Sequence, residues 1–440
     1  MRARSNILKL CLMIYTFLVI YTPNIFSNQY INYALVFFYL VIALIFLKPN
    51  TNYYKIRGIF KSVAILVGCW IFVAIFFVIR ALIAGVEVTD IVNLRIVQTS
   101  SLISIVICVC KIEKQLTIWG YDKKGKIKFI LNVAMIQAFI VVIMLAFPKF
   151  RTSALNHFYQ YGNGNEFTMA KRVYGIMLNY TFATPIYHGF LLTLAFTYGL
   201  ISDKKMYLYI PFLVLMIMLN GRTGMLIALL GILLNTIYFA FKRGYAKKIL
   251  LSIIICLILI YPLLKFLEII KPETYHFFIS AIDDVLSYFI EDEKNGNIGI
   301  LSENFEKDIN TKVFLIGNGH RIQNKGDIPE NIDFHGVYSD MGYLNDMYMG
   351  GIIYMSLIYL PLVCFIIRDP KNIKMERREE YINNLFKLMS IATIFICNIK
   401  GEVFRSSIII AIIVYYKIAM FDDKEKEHEK SIDNNVNLQN

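Results

Sequence analysis

Twelve apolar stretches, separated by polar segments, constrain this chain more than any other feature. They lie near residues 7–22, 29–47, 62–80, 91–110, 127–147, 183–201, 206–220, 224–241, 249–267, 343–367, 385–399 and 405–420. A helix needs about 20 apolar residues to cross the hydrocarbon of a bilayer. In lipid every backbone N–H and C=O must find a partner within the protein, which favours helices for runs of this length. The spacing therefore predicts an all-α polytopic membrane protein, a bundle of about twelve transmembrane helices over residues 1–420, with a polar tail at 421–440. Composition agrees, because only 18% of the 440 residues are charged and 57% are hydrophobic, whereas a soluble domain holds about a quarter charged residues.

Charge sets the orientation. In a soluble domain the net charge of +13 would suggest nucleic acid. In a membrane bundle the simpler reading is that Lys and Arg hold short loops in the cytoplasm. With the N-terminus inside, alternate segments on that side carry 29 of the 45 Lys and Arg residues, and the C-terminus is also cytoplasmic. No nucleic-acid motif accompanies the charge, and no nucleic-acid partner is expected. The segments 23–28, 81–90, 148–182, 221–223, 268–342 and 400–404 then lie outside, and 148–182 and 268–342 are the large ones. The seven cysteines lie in or at the ends of apolar runs, which argues against a disulfide framework or a zinc site. The basic start and apolar run at the N-terminus lack a small-residue cleavage site and read as a retained first helix.

Residues with chemical potential gather on the outer side. Arg80, Arg95, Arg151, Arg172, Arg222, Arg321 and Arg405 all fall there. Arginine offers a permanent charge and a planar donor fork suited to phosphate oxygens. Any one of them could instead snorkel to the interface. Arg95 stands out because Asn93, Gln98, Thr99, Ser100 and Ser101 surround it in the chain. Arg222 stands out because Gly221 and Gly224 bracket it, which suggests a sharp turn and a following helix whose N-terminus would add to an anion seat. The segment 148–182 mixes Arg151, His157, Lys171 and Arg172 with Tyr159, Tyr161 and Tyr174, as a sugar-binding surface or a loop capped by interfacial aromatics would. The segment 268–342 opens with KPETYHFFISAIDDVLSYFI, which suggests an amphipathic surface helix. It continues through GNGHRIQNKG and ends in FHGVYSDMGYLNDMYMGG, where His335 and Asp340 are candidate acid/base groups beside Tyr338 and Asp346. Glu402 and Arg405 in NIKGEVFRSS sit between the last two runs, either paired or active.

On NGRTG, GNGH and HGVYSDMGYLNDMYMGG, and on the alternation of about twelve runs with large third and fifth outer loops, the chain resembles the bacterial O-antigen polymerase (Wzy) family and the related O-antigen ligases. Arg222 and His335 look like the outer-face arginine and late histidine of those ligases. Arg151 and Gly162 have the arginine-to-glycine spacing that some family members show, whereas Lys325 and Gly336 put lysine in that place in the fifth loop. The resemblance implies a metal-independent glycosyltransferase of the bacterial cytoplasmic (inner) membrane with no cofactor. It would transfer undecaprenyl-diphosphate-linked glycan onto a new lipid-linked repeat unit, with membrane lipid, a chain-length regulator and a flippase as partners. It assigns catalysis to Arg222, with His335 or Asp340 as base and Glu402 in reserve. Substrate binding falls to Arg95, Arg151, Arg172, Arg321, Tyr338 and Arg405. A lipid-linked oligosaccharide flippase or other transporter, an O-antigen ligase and a passive scaffold remain as alternatives.

Overall fold

The apolar runs become helices. The computed structural model describes residues 2–23, 25–26, 29–47, 57–83, 85, 96–159, 173, 175–177, 183–221, 223–240, 245–276, 279–280, 311–317, 342–369, 377–400 and 407–421, and among these there is no strand. The helices are α1 (Arg2–Tyr21), α2 (Gln29–Phe46), α3 (Arg57–Ile83), α4 (Val97–Ile118), α5 (Lys123–Ala146), α6 (Pro148–Tyr159) and α7 (Ala183–Ile201). A 3-10 turn at Lys204–Tyr209 then leads into α8 (Ile210–Asn220), followed by α9 (Thr223–Ala240), α10 (Ala246–Ile270), α11 (Thr311–Ile316), α12 (Gly342–Ile367) and α13 (Arg377–Lys400). The last is α14 (Ser407–Phe421). Five of them are long and apolar enough to cross a membrane. The chain is thus an all-α membrane protein.

Local chemistry fixes the joints. Gly120, at φ +78°, ends α4: its N–H bonds the Thr117 carbonyl, and the Tyr121 N–H reaches Leu116. This glycine-terminated C-cap satisfies carbonyls that the helix leaves open. Two residues later the Asp122 carboxylate accepts from the Gly125 N–H at 2.7 Å and starts α5.

α7 is the axial helix, and every residue from Ala183 to Leu200 is buried. α14 is equally enclosed from Ile408 to Phe421. By contrast α2, α3 and α10 expose large apolar side chains such as Phe46, Phe72 and Leu257, as lipid-facing helices do. Lipid tails are as apolar as leucine, so burial alone does not hold such helices together; close packing and hydrogen bonds do. Gly189 of α7 packs on the Gly224 carbonyl of α9, and Gly231 of α9 packs on Thr193. Further along, Asn235 donates to the Thr197 hydroxyl at 3.0 Å and accepts from Tyr381 of α13 at 3.0 Å.

The two ends of the bundle differ. At one end ion pairs join helix termini: Lys123 to Glu379 at 3.0 Å, Lys124 to Asp203 at 2.9 Å, and Lys417 and Lys387 to Asp369. Burial pushes the Asp369 carboxyl up, but the hydrogen bonds from the two lysines outweigh it and hold it below its ordinary value. This lysine end is the one that the charge pattern assigns to the cytoplasm. The opposite, polar-loop end gathers the last turns of α1, α3, α5, α8 and α10.

Several expectations are corrected. The charge count takes Lys126 with a cytoplasmic loop and Lys417 with the tail, but both lie within helices, α5 and α14. Lys126 is wholly buried against Glu113 at 2.7 Å, and Lys417 bonds the Ile366 carbonyl at 2.8 Å. Gly221 is extended (φ 170°), so its turn makes no demand for glycine. Gly224 is needed instead because a side chain there would meet the Pro185 carbonyl, and α9 begins at Thr223, before it. The run 343–367 is not one straight span, as described next.

Candidate functional site

Two segments enter the bundle from the polar-loop end. The first belongs to the loop after α6. Val173 and Met177 are buried, so part of what reads as an outer loop lies within the bundle. The Val173 N–H bonds the Leu219 carbonyl of α8 at 3.1 Å, and the Ile176 N–H bonds Gln137 Oε1 of α5 at 3.3 Å. Gly175, between them, is left-handed (φ +72°) and packs on the Gln137 amide. Gln137 lies nine residues below the end of α5, about 14 Å at 1.5 Å per residue. Irregular backbone at such depth is tolerated only where protein or a polar cavity satisfies it; here Gln137 and Leu219 do so.

The second segment is the first arm of α12. Gly351 is non-helical (φ 67°, ψ −168°). The Tyr359 hydroxyl donates to Asp346 Oδ2 at 2.5 Å, though thirteen residues separate them. A straight helix would hold those residues about 20 Å apart. The Tyr343 and Tyr359 ring centroids are likewise only 6.4 Å apart. α12 therefore folds back at Gly351, and the arm 342–350 runs antiparallel beside the arm 352–367. Asp346 is 0% exposed. Tyr343 donates to the Phe395 carbonyl of α13 at 3.2 Å.

α11 lies on the apex of this hairpin. Gly317 (φ +66°) packs on Gly350, and Gly351 packs on Leu315, where no side chain would fit. Arg80 at the end of α3 donates through Nε to Ile316 O at 3.2 Å and through Nη2 to Gly317 O at 2.8 Å. Arg80 thus caps the short helix electrostatically, a structural task that its outer position alone did not reveal.

Charge reaches the same end from both large loops. Arg151, in α6, and Lys271, at the end of α10, are close enough to repel. Burial, and then the Arg151 guanidinium, bring the Lys271 ammonium down to about 8. His157 of α6 bonds the Ile25 carbonyl at 2.9 Å and ties this loop to the α1–α2 connection. Only residues 271–276 and 279–280 of the expected surface helix are described, and all but Lys271 are helical.

Deeper still is His188 of α7, fully buried, with Nε2 2.9 Å from the Tyr21 hydroxyl. Its Nδ1 has no hydrogen-bond partner, nor does the buried Asn220 Oδ1, two residues before Arg222. Thr99 and Ser101, four and six residues after Arg95, also bury unpartnered hydroxyls. Sequence reading missed His188, and it named Asp346 beside the acid/base candidates without assigning it a role. The signal for Asp346 was Asn345–Asp346 inside an apolar run, closed by Gly350–Gly351. Nothing local marks His188.

Of the expected site residues, Arg151 is described and lies at the polar-loop end. Arg95, Arg172, Arg222, Arg321, His335, Tyr338, Asp340, Glu402 and Arg405 lie outside the described residues. For Arg172 and Arg222 a chain neighbour is placed: Val173 follows Arg172, Gly221 precedes Arg222, and the two backbones meet at the Val173–Leu219 bond.

Fold and site together define a helical membrane protein whose polar-loop end is penetrated by a buried coil and a folded-back helix. Compared with known proteins, the chain matches no family model, no curated relative and no solved structure.

Proposed function

We propose that the chain is an O-antigen-type polysaccharide polymerase working at its polar-loop end, on the outer face of the bacterial cytoplasmic membrane. The observation that carries the reading is the approach of Arg151 and Lys271, cations from the two large loops. Two cations against the one carboxylate of Glu273 leave this corner net positive, which favours an incoming anion. A lipid diphosphate is such an anion, and its tail requires a site at the membrane surface.

In this reading an acceptor hydroxyl of the new lipid-linked repeat attacks the anomeric carbon of the growing glycan. The glycosidic C–O bond forms as the bond to the undecaprenyl diphosphate breaks. The hydroxyl proton passes to His335 or Asp340, with Glu402 in reserve. Arg222, with Arg95 or Arg172, holds the charge that develops on the departing diphosphate. Arg321, Tyr338 and Arg405 complete the glycan and phosphate contacts. The test is Arg222→Ala, which should insert normally yet leave single repeats in place of long polymer. An unchanged ladder of chain lengths would remove Arg222 from the mechanism.

One observation favours a second reading, a lipid-linked oligosaccharide flippase or other transporter: α12 is broken and carries a buried carboxylate, as carrier helices do at their binding sites. Deleting the gene separates the two. One-repeat surface glycan supports the polymerase, and loss of all surface glycan supports a flippase or the ligase.

A further inference from the structure

At the lysine end, away from the proposed active face and independent of it, a cavity of about 370 Å³ opens between α1 and α5. Its chemistry is graded along the two helices. On α1, Lys9 is followed one turn further in by Met13; on α5, Gly125 is followed by Phe129 and Lys128 by Asn132. Residues four apart share a helix face, so the mouth is cationic and the floor is apolar at Met13 and Phe129, with Asn132 the one polar side chain among them. Lys9 Nζ stands 5.8 Å from the centre of the Tyr121 ring, which puts it at the mouth. The nearby acids are engaged: Asp203 bonds Lys124 at 2.9 Å, and Asp122 caps α5 at Gly125. Asn132 Oδ1 accepts from the Tyr209 hydroxyl at 2.6 Å, which fixes its amide beside the groove.

We propose that this groove binds an anionic phospholipid, with Lys9 and Lys128 on the phosphate and an acyl chain along Met13 and Phe129. Charge complementarity argues for the headgroup. The apolar floor argues for a lipid over a free anion, which would leave that floor exposed to water. A cluster of lysines at a membrane surface attracts anionic headgroups by about fivefold in affinity per lysine.

The test uses the full chain in detergent, with native mass spectrometry to count retained phosphatidylglycerol and phosphatidylcholine. The parent protein should prefer phosphatidylglycerol. Lys9→Gln and Lys128→Gln should each weaken that preference about fivefold, and together about 25-fold. Both lysines are exposed, so the variants should fold, and a thermal melt checks this. Lys247→Gln, at the same end but outside the groove, should change nothing. An undiminished preference in the double variant would overturn the proposal. So would equal retention of phosphatidylcholine, or displacement of the lipid by inorganic phosphate, which would mark a free-anion site.

Discussion

Asp346 and Tyr359 belong to one helix, thirteen residues apart, yet the tyrosine hydroxyl donates to the carboxylate at 2.5 Å. The bond exists only because α12 turns back at Gly351, and it clamps the two arms together. Asp346→Ala would leave the Tyr359 hydroxyl without this acceptor inside the bundle, which costs about 1–3 kcal/mol. Asp346→Asn keeps an acceptor oxygen and should stay within about 1 kcal/mol of the parent. Thermal unfolding in detergent compares them. If the alanine variant melts with the parent, the clamp does not hold the hairpin.

Glu113 and Lys126 offer a sharper energetic contrast. Their 2.7 Å ion pair joins α4 to α5 with both side chains at 0% exposure. Removing one partner strands a buried charge and costs about 3–5 kcal/mol, whereas replacing both with apolar residues of similar size is often neutral. Glu113→Gln should therefore lower the melting temperature clearly. Glu113→Leu with Lys126→Met should restore most of it. A double variant as unstable as the single one would mean that the pair itself, not the stranded charge, stabilises the contact.

Gly224 and Gly68 should respond to alanine with opposite signs. A methyl at Gly224 would overlap the Pro185 carbonyl, and backbone cannot step aside as a side chain can. Separating α7 from α9 should cost about 3 kcal/mol, at the upper end for overpacking. At Gly68, within α3, nothing lies within 4 Å of the added carbon. There alanine should gain about 1 kcal/mol of helix propensity. Equal effects at the two positions in a thermal melt would contradict the α7–α9 contact.

The sequence made the helices legible because a run of apolar residues leaves the backbone little choice in lipid. It made the lysine end legible because short basic loops repeat there. The fate of individual charges was hidden. Lys126 and Lys417 look like their solvated neighbours in the chain, and the acids that bury them, Glu113 and Asp369, are brought in by other helices. The fold-back of α12 was hidden as well, because the run stays apolar on both sides of Gly351 and a hydropathy window passes over the hinge. The buried Val173 and Met177 sit inside a polar stretch, where only Gln137, on a distant helix, reveals their depth.

Lys271 connects the structure to a pH profile. Burial and Arg151 bring its ammonium down to about 8, from an ordinary value of 10.5. The unfolded chain keeps that proton up to the ordinary value, so folding stability from this group rises with pH between about 8 and 10.5. Anion binding should move the other way, because the charge that attracts a diphosphate is lost as pH rises through about 8. Affinity for a short-chain polyprenyl diphosphate should fall about fivefold between about pH 7 and about pH 9, the scale of one lost interfacial cation. Lys271→Met should bind weakly at both values and flatten the profile. A parent protein with constant affinity across that range would take Lys271 out of the anion site and leave Arg151 to act without it.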